Sequence, residues 1–200
     1  MTLPDEHLDL GCGPNPRNPY GRTRLCGIDI RKPDKVPPGV DMRVANLIVE
    51  PIPFPDNQFG SISAFDFLEH VPRLLPTPDG KGTILPFVRL MSEIWRVLAP
   101  GGRFFALTPA YPGAPAFQDP THVNFITEAT HSYFCEPDNY ARIYGFTGQF
   151  RALRREWVMP DDALAAGSRT WQQSWRHWRR SVRGRLTHLV WELEAVKPLR

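Results

Sequence analysis

Leu8-Asp9-Leu10 runs straight into Gly11-Cys12-Gly13, and a second apolar stretch closes at Asp29. Glycines at the end of a strand let a ligand approach bare backbone, and a carboxylate at the tip of the next strand can accept from two ribose hydroxyls. Later in the chain Asp119 stands three residues before His122, and Glu69 directly precedes His70. A histidine beside a carboxylate titrates near neutrality and can be oriented as a general base. Two readings of His122 stay open: a base or substrate contact in a loop, or a local packing residue behind an Asp119 that caps a helix starting near Pro120. His70 either lines an acceptor pocket or closes over the cofactor. Asp66, Glu69 and His122 show no ligand spacing of the Glu-x-x-His kind, so no metal is expected. Cys12 has no feature that would make it a thiolate and is expected to lie buried beside the cofactor. His7 and His188 fall in strands and are expected to be structural.

These residues need elements to hold them. Strands are read at His7 to Leu10, Arg24 to Ile30, Asp41 to Ala45, Gly60 to Phe67 and Arg103 to Thr108. Phe150 to Val158 and the run Leu189, Trp191, Leu193, Ala195 alternate as a last pair. Leu85, Val88, Met91, Ile94, Trp95 and Leu98 recur at helical spacing before Pro100-Gly101-Gly102. A further helix is read from about Thr127 to Tyr144, opened by His131, Tyr133 and Phe134. Pro14, Pro16 and Pro19 make the crossover after Gly13 short or non-helical, since each proline removes a donor and restricts its predecessor. Alternation of strand and helix predicts an open α/β sheet with ligands at the carboxyl ends of its parallel strands.

Bulk properties narrow the setting. A chain of 200 residues, 42% hydrophobic and 22% charged, fits one globular domain. Residues 7–158 are read as its core, 159–185 as an Arg- and Trp-rich helical insertion, and 186–198 as the final strand. No apolar run reaches the roughly 18 residues of a membrane span, and no basic-then-apolar leader is seen, so a cytoplasmic protein without a membrane partner is expected. The three cysteines, Cys12, Cys26 and Cys135, lack a Cys-x-x-Cys pair and are read as reduced thiols. The net charge is only +3, but Arg169, Arg176, Arg179, Arg180, Arg183 and Arg185 cluster. Between them Trp171, Trp175, Trp178 and Val182 form one helical stripe. It is expected to dock on the sheet; the competing reading is a nucleic-acid arm, with arginines on phosphates and tryptophans on bases.

Taken in order, the motifs resemble those of class I S-adenosylmethionine-dependent methyltransferases over residues 7 to about 158. Asp9, Gly11, Cys12 and Gly13 are similar to the family's first motif, and Asp29 with Ile30 to its ribose-binding strand end. Asn46 and Leu47 match the segment flanking adenine, where the family more often has Asp. Phe65, Asp66 and Phe67, in Phe-Asp-Phe-Leu-Glu-His, resemble the strand-four end that faces the sulfonium. Pro53 to Phe59, and Trp95 to Arg103, match the turns before strands four and five. The resemblance implies an open seven-stranded, mostly parallel Rossmann-like sheet with helices on both faces and an antiparallel last strand, binding S-adenosyl-L-methionine.

The acceptor is the open question. Base-amine methylases resemble one another in an Asn- or Asp-Pro-Pro-aromatic tip, and this chain has Phe-Leu-Glu-His there. No cysteine pair stands ready for covalent attack on cytosine or uracil. The expected acceptor is a small molecule or a glycan hydroxyl or amine, deprotonated by His122. RNA or another polyanion is the alternative, and a catalytically silent cofactor- or partner-binding subunit the third reading. A homodimer or partner subunit that completes the pocket is also considered.

Overall fold

The computed structural model describes residues 2–164 and 170–198. Its strands are β1 (Glu6–Leu10), β2 (Arg24–Asp29), β3 (Val40–Val44), β4 (Phe59–Phe65), β5 (Leu75–Pro76), β6 (Thr83–Ile84), β7 (Leu98–Pro109), β8 (Phe150–Val158) and β9 (His188–Ala195). The α-helices are α1 (Pro86–Val97), α2 (Pro115–Gln118) and α3 (Trp171–Val182). Seven strands form one sheet in the order β3-β2-β1-β4-β7-β9-β8, and β5 and β6 form a separate two-stranded ribbon. Neighbours from β3 to β7 run parallel, and β9 is antiparallel to both β7 and β8. The order reverses between β1 and β4. Their carboxyl ends therefore diverge to open a crevice, the usual ligand position in such sheets.

The sheet agrees with the reading from sequence, whereas the helical cover is thinner. Residues 11–23, 30–39 and 45–58, the first three crossovers, contain no helix. Prolines 14, 16, 19, 33, 37, 38, 51, 53 and 55 deny those segments donors a helix needs. The β1–β2 coil is instead pinned by side chains. Arg17 N–H donates to Asp9 Oδ2 (2.8 Å), and Ser63 Oγ donates to Asp9 Oδ1 (2.6 Å). His7 lies between Ser61 and Ser63, each hydroxyl 2.8 Å from a ring nitrogen. Register makes this seam, because His7 faces Ser61 and Asp9 faces Ser63 across parallel strands. His7 is thus structural, as read.

On α1, Pro86 sits at the first turn, where a missing N–H costs nothing. Phe87, Leu90, Met91, Ile94 and Val97 of one face are buried with Leu8, Ile62, Phe104 and Trp191. The helix stops at Val97 rather than at Pro100, because Leu98 already pairs in β7.

Two expected elements are corrected. The helix from Thr127 to Tyr144 is instead two short 3-10 segments, Thr130–Phe134 and Tyr140–Tyr144. Pro137 lacks a donor, Asn139 is left-handed (φ 44°), and Glu136 N–H is taken by Phe150 O (2.8 Å), so a continuous helix cannot form. The Trp stripe of α3 does not dock on the sheet. Trp171, Trp175 and Trp178 are 77%, 52% and 60% exposed, and no residue of α3 is buried. A capping box joining Thr170 and Gln173 starts the helix locally. Arg169 lies outside the described residues.

Candidate functional site

Two adjoining pockets open at the carboxyl ends of β1, β2, β4 and β7. The first, about 540 Å³, is lined by Gly11, Gly13, Asp29, Ile30, Asn46, Leu47, Asp66 and Phe67 among the residues read from sequence. Its volume falls in the usual range for small-ligand sites. Pro14, Arg31, Pro33, Ile48 and Thr121 also line it. Gly11 has φ +62°, and a Cβ there would stand 2.6 Å from Phe67 Cδ2, so both conformation and space require glycine. Gly13 N–H donates to Asp29 Oδ2 (2.8 Å), and Arg31 N–H donates to Oδ1 (2.9 Å). Each carboxylate oxygen keeps a lone pair for a ligand hydroxyl. Asn46 Oδ1 accepts from Ile48 N–H (3.1 Å), shaping the turn after β3.

Three of the proposed cofactor residues lie behind this wall. Asp9 is fully buried under the coil, and burial pushes its carboxyl up to about 6. Cys12 is buried, its thiol 3.9 Å from Met42 Sδ and raised to about 12 by burial. Burial thus disfavours its thiolate, and it does not line the pocket. Phe65 packs on Phe105, with the Arg17 guanidinium 4.0 Å from its ring centroid.

The second pocket, about 570 Å³, shares Asp66 and His70 with the first and adds Glu69, Asp119, His122 and His188. Asp66 is left-handed (φ 50°), an uncommon conformation for a non-glycine residue, and turns the chain sharply after β4. Glu69 is 1% exposed. Its Oε2 accepts from Thr108 Oγ1 (2.9 Å), while Oε1 has no hydrogen-bond partner among the described residues. Burial pushes this carboxyl up to about 7. His122 Nε2 lies 4.0 Å from Glu69 Oε1, and the His122 ring is 4.8 Å from that of His70.

Asp119 does not start a helix near Pro120; it ends α2 as its C-cap residue, and its backbone carbonyl accepts from His122 N–H (3.1 Å). It is exposed and accepts from Thr121 N–H (2.8 Å) and Thr121 Oγ1 (2.6 Å), which hold its carboxyl below the usual range. Thr121 Oγ1 is also 2.9 Å from His70 Nδ1. A hydroxyl has one proton, and a carboxylate only accepts, so Thr121 accepts from His70 Nδ1–H. That leaves the lone pair of neutral His70 on Nε2. Asp119 therefore orients His70 through Thr121, and the carboxylate near His122 is Glu69.

His188 was read as structural, yet it lines the second pocket, with Nε2 3.5 Å from Asp66 Oδ1. Pairing explains this. As the first residue of an antiparallel strand it faces Pro109, so β9 begins where β7 ends. Nothing in its sequence neighbourhood signals that register.

Comparisons with known proteins agree with this geometry. The family profile described as "Methyltransferase domain" matches residues 8–106. No curated protein matches the sequence. The fold is similar to an S-adenosylmethionine-dependent methyltransferase from Mesorhizobium loti, with TM-score 0.55 and 17% identity over 94% of this chain and 90% of that one. It is also similar to a chain from the complex of the Haloferax volcanii Trm112 methyltransferase activator, with TM-score 0.58 and 14% identity over 98% and 86%. Geranyl diphosphate C-methyltransferase from Streptomyces coelicolor A3(2), solved with S-adenosyl-L-homocysteine, gives TM-score 0.54 and 16% identity over 98% and 74%. With its strand order, glycine turn and strand-end acid in place, the chain carries a methyltransferase domain over residues 8–106 and has the fold of the class I S-adenosylmethionine-dependent methyltransferases.

Proposed function

We propose that this enzyme transfers the methyl group of S-adenosyl-L-methionine to a hydroxyl or amine of a small molecule or glycan. The observation that carries the proposal is the pair of contiguous pockets, one walled by the glycine turn and Asp29, the other by imidazoles and carboxylates. Gly11 and Gly13 would take the methionine portion against backbone, Asp29 the ribose hydroxyls, and Asn46 with Leu47 the adenine. Cys12 and Asp9 support the turn from behind. The bound cofactor supplies an activated methyl electrophile, so the chain's task is to align a nucleophile and accept its proton. In the second pocket His122, beside Glu69, is the proposed base, and His70, held by Thr121 and Asp119, the second polar contact to the acceptor. Calorimetry with S-adenosylhomocysteine tests the cofactor half: Asp29→Ala should weaken binding at least about tenfold, a loss of about 1.4 kcal/mol. Absence of binding to the wild type overturns the reading.

A second reading has support from α3. Its tryptophans are exposed, and Arg176, Arg179, Arg180, Arg183 and Arg185 line a recess of about 180 Å³ beside them. This favours RNA or another polyanion as the alternative acceptor. Among the described residues no helix is long and apolar enough to cross a membrane. A protein partner that completes the pocket, or a homodimer, remains part of the proposal, in keeping with the activator complex among the similar folds.

A further inference from the structure

We propose that Glu69, His70 and His122 form a binding site for one divalent transition-metal cation of the zinc class, with open coordination positions facing the acceptor pocket. Sequence spacing argued against a metal because Asp66, Glu69 and His122 show no Glu-x-x-His pair; folding brings Glu69, His70 and His122 together. Each offers one ligand atom, and the three atoms lie within 4.8 Å of one another. Two imidazoles and one carboxylate are the ligand set of open catalytic sites for zinc and of three-ligand sites for other divalent metals.

One unmet valence lies beside His122 Nε2. Glu69 Oε1 is buried and lacks a hydrogen-bond partner among the described residues. A buried carboxylate oxygen without a donor costs free energy unless a charge compensates it. The separation of Glu69 Oε1 and His122 Nε2, 4.0 Å, is too long for a hydrogen bond. Two donors about 2.0–2.2 Å from one tetrahedral ion stand about 3.3–3.6 Å apart, so this pair need close by only about 0.5 Å. The longest separation, at most 4.8 Å, closes by up to about 1.4 Å when the ligands contract to such distances. Outer-sphere support is present on two of the three ligands. Thr108 Oγ1 holds the other oxygen of Glu69, and the Thr121–Asp119 pair accepts from His70 Nδ1, which leaves Nε2 as the donor atom. Among the described residues no Lys or Arg forms an ion pair with Glu69, so no fixed cation competes for the space.

The consequence rests on the methyl-transfer reading. An acceptor hydroxyl at an open position is acidified by the cation. Its O–H bond breaks heterolytically, the proton passes to solvent or to His188 across the pocket, and the oxygen forms its bond to carbon as the sulfur–methyl bond breaks. No electron is gained or lost overall. With the cation in place His122 is a ligand, and the cation takes over the activation assigned to it in the metal-free enzyme.

Untagged protein titrated with Co²⁺ is the test. One equivalent should bind and give visible d–d bands, with Zn²⁺ displacing it. Glu69→Gln and His122→Asn should each weaken binding at least about tenfold, while substitution of a histidine on α3 outside this pocket, His177→Ala, leaves it unchanged. S-adenosylhomocysteine affinity, measured on the same samples, verifies that the variants are folded and reports on the methyltransferase reading separately. Co²⁺ bound without S-adenosylhomocysteine would uphold the site and overturn that reading. Absence of saturable Co²⁺ binding to the wild type, or equal binding by both variants, overturns the cation site.

Discussion

Gly11→Ala tests the proposed seat of the cofactor most directly. The residue has φ +62°, and a left-handed non-glycine residue costs roughly 1–2 kcal/mol. The added Cβ would also meet Phe67 Cδ2 at 2.6 Å, Cγ at 2.9 Å and Cβ at 3.1 Å. Three atoms of one side chain, including its own Cβ, cannot be relieved by a ring flip alone. Phe67 must move, and it lines the same pocket as Gly11 and Asp29. The backbone cost alone lowers the melting temperature by roughly 2–8 °C for a chain of this size. Gly39→Ala is the internal control, since it has φ +79°, no atom within 4 Å of the added Cβ, and a position outside the pocket. In thermal melts Gly39→Ala should lose about the backbone cost alone, and Gly11→Ala at least as much. In calorimetry only Gly11→Ala should lose S-adenosylhomocysteine affinity, by at least about tenfold or 1.4 kcal/mol. If Gly11→Ala binds like Gly39→Ala, the packing of Phe67 over the glycine turn has no part in cofactor binding and the reasoning fails.

Further predictions concern the buried seam, the relay and α3. Burial raises the Asp9 carboxyl to about 6 from its ordinary 3.8, so its ionisation opposes folding. The stability it contributes is complete below about pH 4 and is lost as pH rises through about 6, by roughly 3 kcal/mol at most. Denaturant melts should show this decline in the wild type and a flatter profile in Asp9→Asn; equal slopes would refute it. Thr121→Val severs the link between His70 and Asp119, and kcat should fall about tenfold with little change in KM. Thr121→Ser should restore the rate, and an unaltered pH profile in the valine variant would remove Thr121 from positioning His70. Because Trp171 and Trp178 are exposed, each alanine variant should change stability by no more than about 0.5 kcal/mol, whereas a docked stripe would cost several times that. If RNA is the acceptor, filter binding should weaken steeply with salt, and Arg176→Ala should lower that slope by about one.

Much of the sheet could be read along the chain because each strand carries its own signal. β1 is a short apolar run stopped by glycine, β8 and β9 alternate, and the Pro-rich first crossover is incompatible with a helix. The 127–144 helix failed for a local reason that the apolar pattern concealed. Pro137 interrupts the donors, and Glu136 finds its partner on Phe150 instead. The α3 stripe had the right period but the wrong destination, since period reports which residues share a face and not what that face meets.

The proposed cofactor side of the site could be read from sequence because its determinants are contiguous. Glycine is demanded where φ is positive, and the acid falls at a strand end, both of which are written within a few residues. The acceptor side was not, because Glu69, His122, Thr108 and His188 come from four separate segments. Their meeting depends on β7 and β9 pairing antiparallel so that His188 starts where Pro109 ends. It depends also on the Thr121–Val123 segment folding back, with Val123 and Asn124 N–H both donating to Glu69 O (2.9 Å). Sequence by itself thus determined the strand order's ingredients, the glycine turn and Asp29. The tertiary structure alone decided that Glu69, rather than Asp119, faces His122, because proximity across a sheet edge is set by long-range register and not by spacing along the chain.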